Sequence, residues 1–114
     1  KDKIIQAYLA HTRAKFVFFE GATQQIFARN IKQIWILHVN LINAYTIESL
    51  LNIAESLDYH FISLEDALQD EAYHSADNYY SDDGVSWLYR WDFTGGKAVD
   101  WSQDPEPKIF FKVF

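Results

Sequence analysis

The sequence contains no cysteine and no methionine. Without cysteine the chain forms neither disulfides nor thiolate metal sites, and cysteine usage gives no indication of the redox compartment. Because even an initiator methionine is missing, we expect the 114 residues to be a piece of a longer polypeptide.

Basic residues are absent from the middle of the chain. Six of the ten Lys and Arg residues lie at or before Lys32, and none lies between Gln33 and Tyr89, where ten of the sixteen acidic residues are found. This acidic middle and the net charge of −6 repel phosphate, so the composition predicts no nucleic-acid partner.

Long apolar runs are also lacking. The longest, residues 34–37 and 16–19, fall far below the roughly 20 residues of a membrane-spanning helix, so no membrane span is predicted.

Aromatic and aliphatic residues are plentiful. Hydrophobic residues make up 49% of the chain, with nine Phe, seven Tyr and four Trp. This content is enough to fill the core of one domain, and it argues against disorder.

The most hydrophobic stretch, residues 34–37, predicts a strand buried on both faces, as in a parallel sheet. His38, Asn40 and Asn43 follow at its carboxyl end, where parallel α/β folds collect active-site groups. A helix over residues 47–57, with Thr46 as N-cap, and a second strand over 60–64 then predict a right-handed βαβ crossover.

Residues 1–29 carry an apolar stripe at four- and three-residue spacing that predicts one long helix. A break near Gly21 or a strand over residues 16–19 is the alternative. Ser63 with Asp66 fits a capping pattern and predicts a short helix over 64–69. Residues 71–84 predict a solvated loop, since Asp82 and Asp83 lack the spaced ligands of a calcium loop.

Trp87 and Trp91 lie four residues apart in a stretch, residues 85–93, that predicts a short helix with both indoles on one face. Either these indoles dock an extension onto the core, or they form a platform on which sugars stack. Residues 101–114 predict an irregular, aromatic-rich tail.

The order of these segments resembles a known family. IWILHVN with Asn40 and Asn43, an amphipathic helix, YHFISLEDAL and then DGVSWLYRW look like the C-terminal portion of the polysaccharide deacetylases of carbohydrate esterase family four. The tripeptide ending at His38 matches the last family motif, Leu-x-His, with Ile36 where Leu is usual.

The resemblance implies an α/β fold, in which residues 1–72 form the C-terminal part of a distorted (β/α) barrel and residues 73–114 an extension. It implies a hydrolase that removes acetyl groups from an N-acetylated polysaccharide or oligosaccharide, in an extracytoplasmic location. Catalysis there uses a divalent metal, expected to be zinc, held by one Asp and two His. The family motifs that contain these metal ligands are absent from this sequence. The ligands are therefore expected in the remainder of the deacetylase domain, and this chain alone is expected to be inactive.

His38 would be the catalytic residue, as the general acid that protonates the departing nitrogen. Asn40, Trp87 and Trp91 would bind substrate. The alternative function is a non-catalytic carbohydrate-binding or scaffold module, in which Trp87, Trp91 and Trp101 bind glycan and His38 is structural.

Overall fold

The computed structural model describes residues 2–106, and its regular elements are all helical. The four α-helices are α1 (Asp2–Phe27), α2 (Leu41–Ser56), α3 (Leu64–Leu68) and α4 (Trp87–Gly95). Two 3₁₀ turns, Glu71–His74 and Trp101–Gln103, complete the regular structure of this part. No β-strand occurs among residues 2–106, so the predicted α/β fold, with its barrel portion and βαβ crossover, is wrong.

The predicted first strand, residues 34–37, lies in a segment without turns or bends, in which Trp35 packs onto α1 and Ile34 and Ile36 are exposed. Trp35 meets Phe16 edge-on with ring centroids 4.9 Å apart, and the Gln33 amide donates to Thr23 Oγ1 at 2.8 Å. Backbone groups inside a helix are already bonded to one another, so α1 offers no ladder to this segment. An apolar run that packs on a helix has the same sequence pattern as a buried strand.

The predicted second strand, residues 60–64, fails for a different reason. Phe61 and Ile62 are both exposed, so no sheet covers them, and α3 begins directly afterwards at Leu64. The predicted start of the intervening helix is also wrong, because α2 begins at Leu41 with Asn40 as its N-cap. The hydroxyl of Thr46, predicted as that cap, instead donates to the carbonyl oxygen of Ile42.

Three local predictions are confirmed. The N-terminal helix runs through Gly21 without a break. Ser63 Oγ accepts the N–H of Asp66 at 3.1 Å and caps α3. The short tryptophan-bearing helix is α4, capped by Ser86. Of the predicted aromatic tail, residues 107–114 lie outside the described residues.

The described chain divides into two compact units. Unit 1 contains residues 2–17, 35–61 and 105–106, and unit 2 contains Phe18–Ile34 and Ile62–Asp104. Unit 2 therefore includes residues on both sides of position 72, where the sequence predicts the start of an extension.

Unit 1 is built from the first half of α1 and from α2. The buried residues of α2 recur at three- and four-residue spacing, as expected for one face of a helix: Asn43, Thr46, Leu50 and Ala54. Leu50 is fully buried. On α1, the buried Thr12 donates its hydroxyl to the carbonyl oxygen of Tyr8 at 2.9 Å, which satisfies the hydroxyl inside the core.

Unit 2 has its own core of four buried residues, Ile31, Ala72, Leu88 and Trp91. Partly buried aromatic residues surround it, among them Phe27, Tyr73 and Trp101. The buried carboxylate of Asp92 ties the end of the unit to α4. It accepts the N–H groups of Ala98 and Val99 and the indole N–H of Trp101, at 2.7, 3.1 and 2.9 Å.

No helix within residues 2–106 is long and apolar enough to cross a membrane. The prediction that the chain has no membrane span is therefore confirmed for this part.

Candidate ligand-binding groove

His38, the predicted general acid, lies in the irregular segment before α2 and is exposed. Its carbonyl oxygen accepts a hydrogen bond from Asn43 Nδ2 at 2.8 Å. Because no strand ends at this point, the fold supplies no active-site edge for the imidazole. The catalytic role of His38 stays a prediction that depends on the resemblance.

The two asparagines beside His38 serve the start of α2. Asn40 Oδ1 accepts the N–H of Asn43 at 3.0 Å, which caps the helix. The buried Asn43 accepts the hydroxyl of Tyr8 from α1 through Oδ1. Burial raises the pKa of Tyr8, and this hydrogen bond lowers it by less. The Asn40 and Asn43 side chains therefore have structural partners, and substrate binding by Asn40 stays a prediction.

Trp87 and Trp91, the predicted sugar-binding pair, stack on each other in α4 at a centroid distance of 6.1 Å. Trp91 is 5% exposed, because Phe27 and Tyr73 pack edge-on against it. Trp91 is therefore part of the core of unit 2, and sugar binding by Trp87 and Trp91 stays a prediction. Trp87 is 54% exposed, with the Arg90 guanidinium 5.4 Å from its ring centroid.

A cavity of about 470 Å³ lies between α1 and α2, entirely within unit 1. Both helices line it with the same spacing, because positions i, i+3, i+4 and i+7 share one helix face. The lining residues are Gln6, Leu9, Ala10 and Arg13 from α1, and Ser49, Asn52, Ile53 and Ser56 from α2. We call this cavity the α1–α2 groove.

Among the residues that the structure describes, Arg13 is the one charged residue that lines the groove. Its Nη2 donates to Ser56 Oγ at 2.7 Å, and that hydroxyl donates to the carbonyl oxygen of Ile53 at 2.7 Å. Two hydrogen bonds in series therefore hold the guanidinium in place against α2.

Of the three arginines in the sequence, Arg13 differs from the other two in its partners. Arg29 pairs with Asp70 at 2.6 Å and Arg90 pairs with Asp77 at 2.7 Å, and each contact lowers the pKa of its carboxyl group. Arg13 makes no ion pair within residues 2–106. Its cationic group is therefore available to an anionic ligand.

The remaining polar lining consists of two amides and two hydroxyls, from Gln6, Asn52, Ser49 and Ser56. These groups both donate and accept hydrogen bonds. Within residues 2–106, no His, Asp, Glu or Lys lines the groove, so the described lining contains no side chain suited to proton transfer near neutral pH.

The sequence did not reveal the groove, because Ser49 and Asn52 fit the solvent-exposed face of an amphipathic helix. The available signal was the pair of matching stripes on α1 and α2, each with one large aliphatic residue among small or polar side chains at i, i+3, i+4 and i+7. Such a stripe does not determine which two helix faces pack against each other.

No group of three potential metal ligands is found within residues 2–106. The divalent metal implied by the resemblance was expected to bind outside this chain, and that expectation stays a prediction.

Comparison with protein-family models, with curated proteins and with solved structures finds no match to the chain.

Proposed function

We propose that this chain is a non-catalytic binding module, whose α1–α2 groove holds a small ligand with one carboxylate and several hydroxyls, such as a sugar acid. The observation that carries the proposal is Arg13, which has no acidic partner within residues 2–106 and is held by Ser56 in a groove whose other described lining groups are neutral. In a chain of net charge −6, a cationic group kept clear of carboxylates marks a place for an anion.

The groove suits each part of such a ligand. A guanidinium binds a carboxylate through two parallel hydrogen bonds, which fixes orientation as well as adding energy. The amides of Gln6 and Asn52 and the Ser49 hydroxyl match the hydroxyl groups of a sugar ring. Leu9 and Ile53 offer apolar surface to its C–H groups.

The deacetylase function stays a prediction for a longer protein. It requires metal ligands and a general base that this sequence lacks, together with a catalytic role for His38. The binding module requires nothing outside unit 1, and for this reason we favour it. It develops the alternative function stated above, with the ligand in the groove instead of on the tryptophans.

Binding is tested by titrating isotope-labelled chain with D-glucuronate, D-glucose and acetate, and following backbone amide resonances. Because the groove is open and small, we expect the dissociation constant for glucuronate to lie roughly in the millimolar range. Glucose lacks the carboxylate and acetate lacks the hydroxyls, so each should bind more weakly. The shifted resonances should cluster at residues 6–13 and 49–56. The proposal would be refuted if glucuronate changed the amide resonances mainly in unit 2, or if it changed none.

Arg13→Gln is expected to weaken glucuronate binding about tenfold, the effect of losing a charge-assisted hydrogen bond worth about 1.4 kcal/mol. Glutamine has a similar helix propensity to arginine, so α1 should persist. Lys32→Gln is the matched control, because it removes one positive charge from an exposed side chain in unit 2. Equal losses in the two variants would indicate a general charge effect and not a site at Arg13.

A further inference from the structure

The hydrogen bond between Arg13 and Ser56 has a fixed direction. A serine hydroxyl has one proton to donate, and Ser56 donates it to the carbonyl oxygen of Ile53 at 2.7 Å. Toward Arg13 Nη2, also at 2.7 Å, the Ser56 oxygen therefore acts only as an acceptor. The Ile53 carbonyl lies in the last turn of α2, where it also accepts the N–H of Leu57 at 3.2 Å. Arg13 of α1 is thus tied to the C-terminal end of α2.

The C-terminal end of α2 also favours a positive charge. The carbonyl groups of a last helical turn carry partial negative charge, so a cation beside them is stabilised. The last turn of α2 contains no basic residue of its own. Arg13 supplies that charge from the neighbouring helix, so the hydrogen bond and the helix dipole both hold its guanidinium at Ser56.

The contact with Ser56 uses a particular part of the guanidinium. The five N–H groups form two edges that each bind a carboxylate through two parallel hydrogen bonds, one edge from Nε and Nη2 and the other from Nη1 and Nη2. Nη2 contributes one hydrogen to each edge. Because Ser56 accepts one of these two hydrogens, it blocks one edge and leaves the other complete. Arg13 makes no other hydrogen bond or ion pair through its guanidinium within residues 2–106.

We infer that Ser56 is a positioning residue, which leaves Arg13 a single carboxylate-binding edge, so that the α1–α2 groove takes a sugar acid in one orientation and selects among its stereoisomers. This inference rests on the proposed function of the groove. Once the carboxylate is fixed, each ring hydroxyl has a set place relative to the polar side chains of Gln6, Ser49 and Asn52. An isomer that differs at one hydroxyl then leaves one of these side chains unmatched. With both edges of the guanidinium open, a ligand can turn and avoid that loss.

D-Glucuronate and D-galacturonate test the selection, because they differ in the configuration of one hydroxyl. Amide resonances of residues 6–13 and 49–56 report the binding of each acid. The wild-type chain should bind one acid at least about threefold more tightly than the other. Ser56→Ala should reduce this preference to less than about twofold. It should also weaken the preferred acid roughly two- to tenfold, because binding must then order the Arg13 side chain.

Two further variants separate positioning from a general effect on the fold. Ser56→Thr should restore the preference, since a threonine hydroxyl in a helix also bonds to a carbonyl about one turn back. Ser81→Ala is the matched control, because it removes a hydroxyl from an exposed residue of unit 2, and it should leave both dissociation constants unchanged. Ser56 is itself exposed and alanine is a strong helix former, so α2 should persist in Ser56→Ala.

The hold of Ser56 on Arg13 is measured without any ligand. Nitrogen relaxation of the three arginine Nε–H groups reports how rigid each side chain is, and Arg13→Gln identifies the Arg13 signal. In Ser56→Ala the order parameter of Arg13 should fall. Those of Arg29 and Arg90 should not change, because each keeps its ion pair in unit 2.

The outcomes distinguish this inference from the function on which it rests. If the wild-type chain bound neither acid, the proposed function would fail and the selectivity with it. If it bound both acids equally well, only the inference would be overturned, since the groove would still hold a sugar acid. The inference would also be overturned if Ser56→Ala kept the wild-type preference, or if the order parameter of Arg13 were the same in both chains.

Discussion

Asp70 joins three separate points of unit 2 through one carboxylate. Oδ1 accepts Arg29 Nη2 at 2.6 Å and the N–H of Ala72 at 2.9 Å, and Oδ2 accepts Arg29 Nη1 at 3.1 Å and the N–H of Lys32 at 3.0 Å. The hydrogen bonds from Arg29, followed by those from the backbone, hold the pKa of Asp70 well below its usual value, against the opposing effect of burial. The ionised carboxylate therefore fastens the segment after α1 to the 3₁₀ turn at Glu71–His74.

Asp70→Asn should lower the free energy of unfolding by about 2 kcal/mol at neutral pH, the scale of hydrogen bonds to a charged group. Because the folded-state pKa is depressed, this stabilisation is present above the ordinary value of 3.8 and is lost as the pH falls below it. Urea unfolding of wild type and variant should therefore differ at neutral pH and converge in strong acid.

The control for this change is Asp82→Asn, in the exposed loop before α4. It should alter the unfolding free energy by less than about 0.5 kcal/mol at any pH. A pH-independent difference between Asp70→Asn and wild type would show that shape, and not charge, is what matters at this position.

The end of α4 is specified by backbone hydrogen bonds and by a glycine. The N–H groups of Gly96 and Lys97 both bond to the carbonyl oxygen of Asp92, and Gly96 adopts φ = 120°. A side chain is strained at such a φ, whatever space surrounds it. Glycine at this position lets the chain reverse, so that Ala98 and Val99 reach the Asp92 carboxylate.

Gly96→Ala should therefore destabilise the chain by about 1 kcal/mol, measured by thermal or urea unfolding. Gly84→Ala provides the comparison, since a Cβ at either glycine meets no atom within 4 Å and only Gly96 has a positive φ. Gly84→Ala should be neutral or slightly stabilising. If the two variants behaved alike, the conformation at Gly96 would not be the cause.

The sequence was informative for two elements that depend on near neighbours. The capping of α3 by Ser63 and the continuity of α1 follow from residues within one or two helical turns. The strands failed because a strand exists through a partner distant in sequence, and no pattern within residues 34–37 distinguishes a sheet neighbour from a helix. Asn40 was assigned to an active site, when its side chain was needed to start α2.

On the scale of the whole molecule, two cores share one long helix. Leu50 anchors unit 1, whereas Trp91 and its neighbours fill unit 2. The groove could not be predicted from sequence for the same reason as the fold, because it depends on which faces of α1 and α2 meet. Arg13 itself carries no local signal that separates it from Arg29, whose partner Asp70 lies 41 residues further along the chain.

Leu50→Ala should lower the free energy of unfolding by about 3 kcal/mol, the usual effect of leaving a cavity at a fully buried leucine. Hydrogen exchange should accelerate more in α2 than in α4, since the two helices belong to different units. Leu41→Ala, at a leucine that is mostly exposed, should have little effect. Equal acceleration in both helices would mean that the two units unfold as one.

The loop between the first 3₁₀ turn, Glu71–His74, and α4 also bears on how the chain ages. Asp83 is followed by Gly84 in an exposed, non-helical stretch, and glycine has no side chain of its own to hinder its nitrogen. Attack of that nitrogen on the Asp83 side-chain carboxyl expels one water and closes a succinimide ring, and hydrolysis of the ring returns that water, mostly giving an isoaspartyl linkage. The isomerised chain keeps its mass but gains one methylene in its main chain, so old and fresh molecules differ in covalent structure at this one bond.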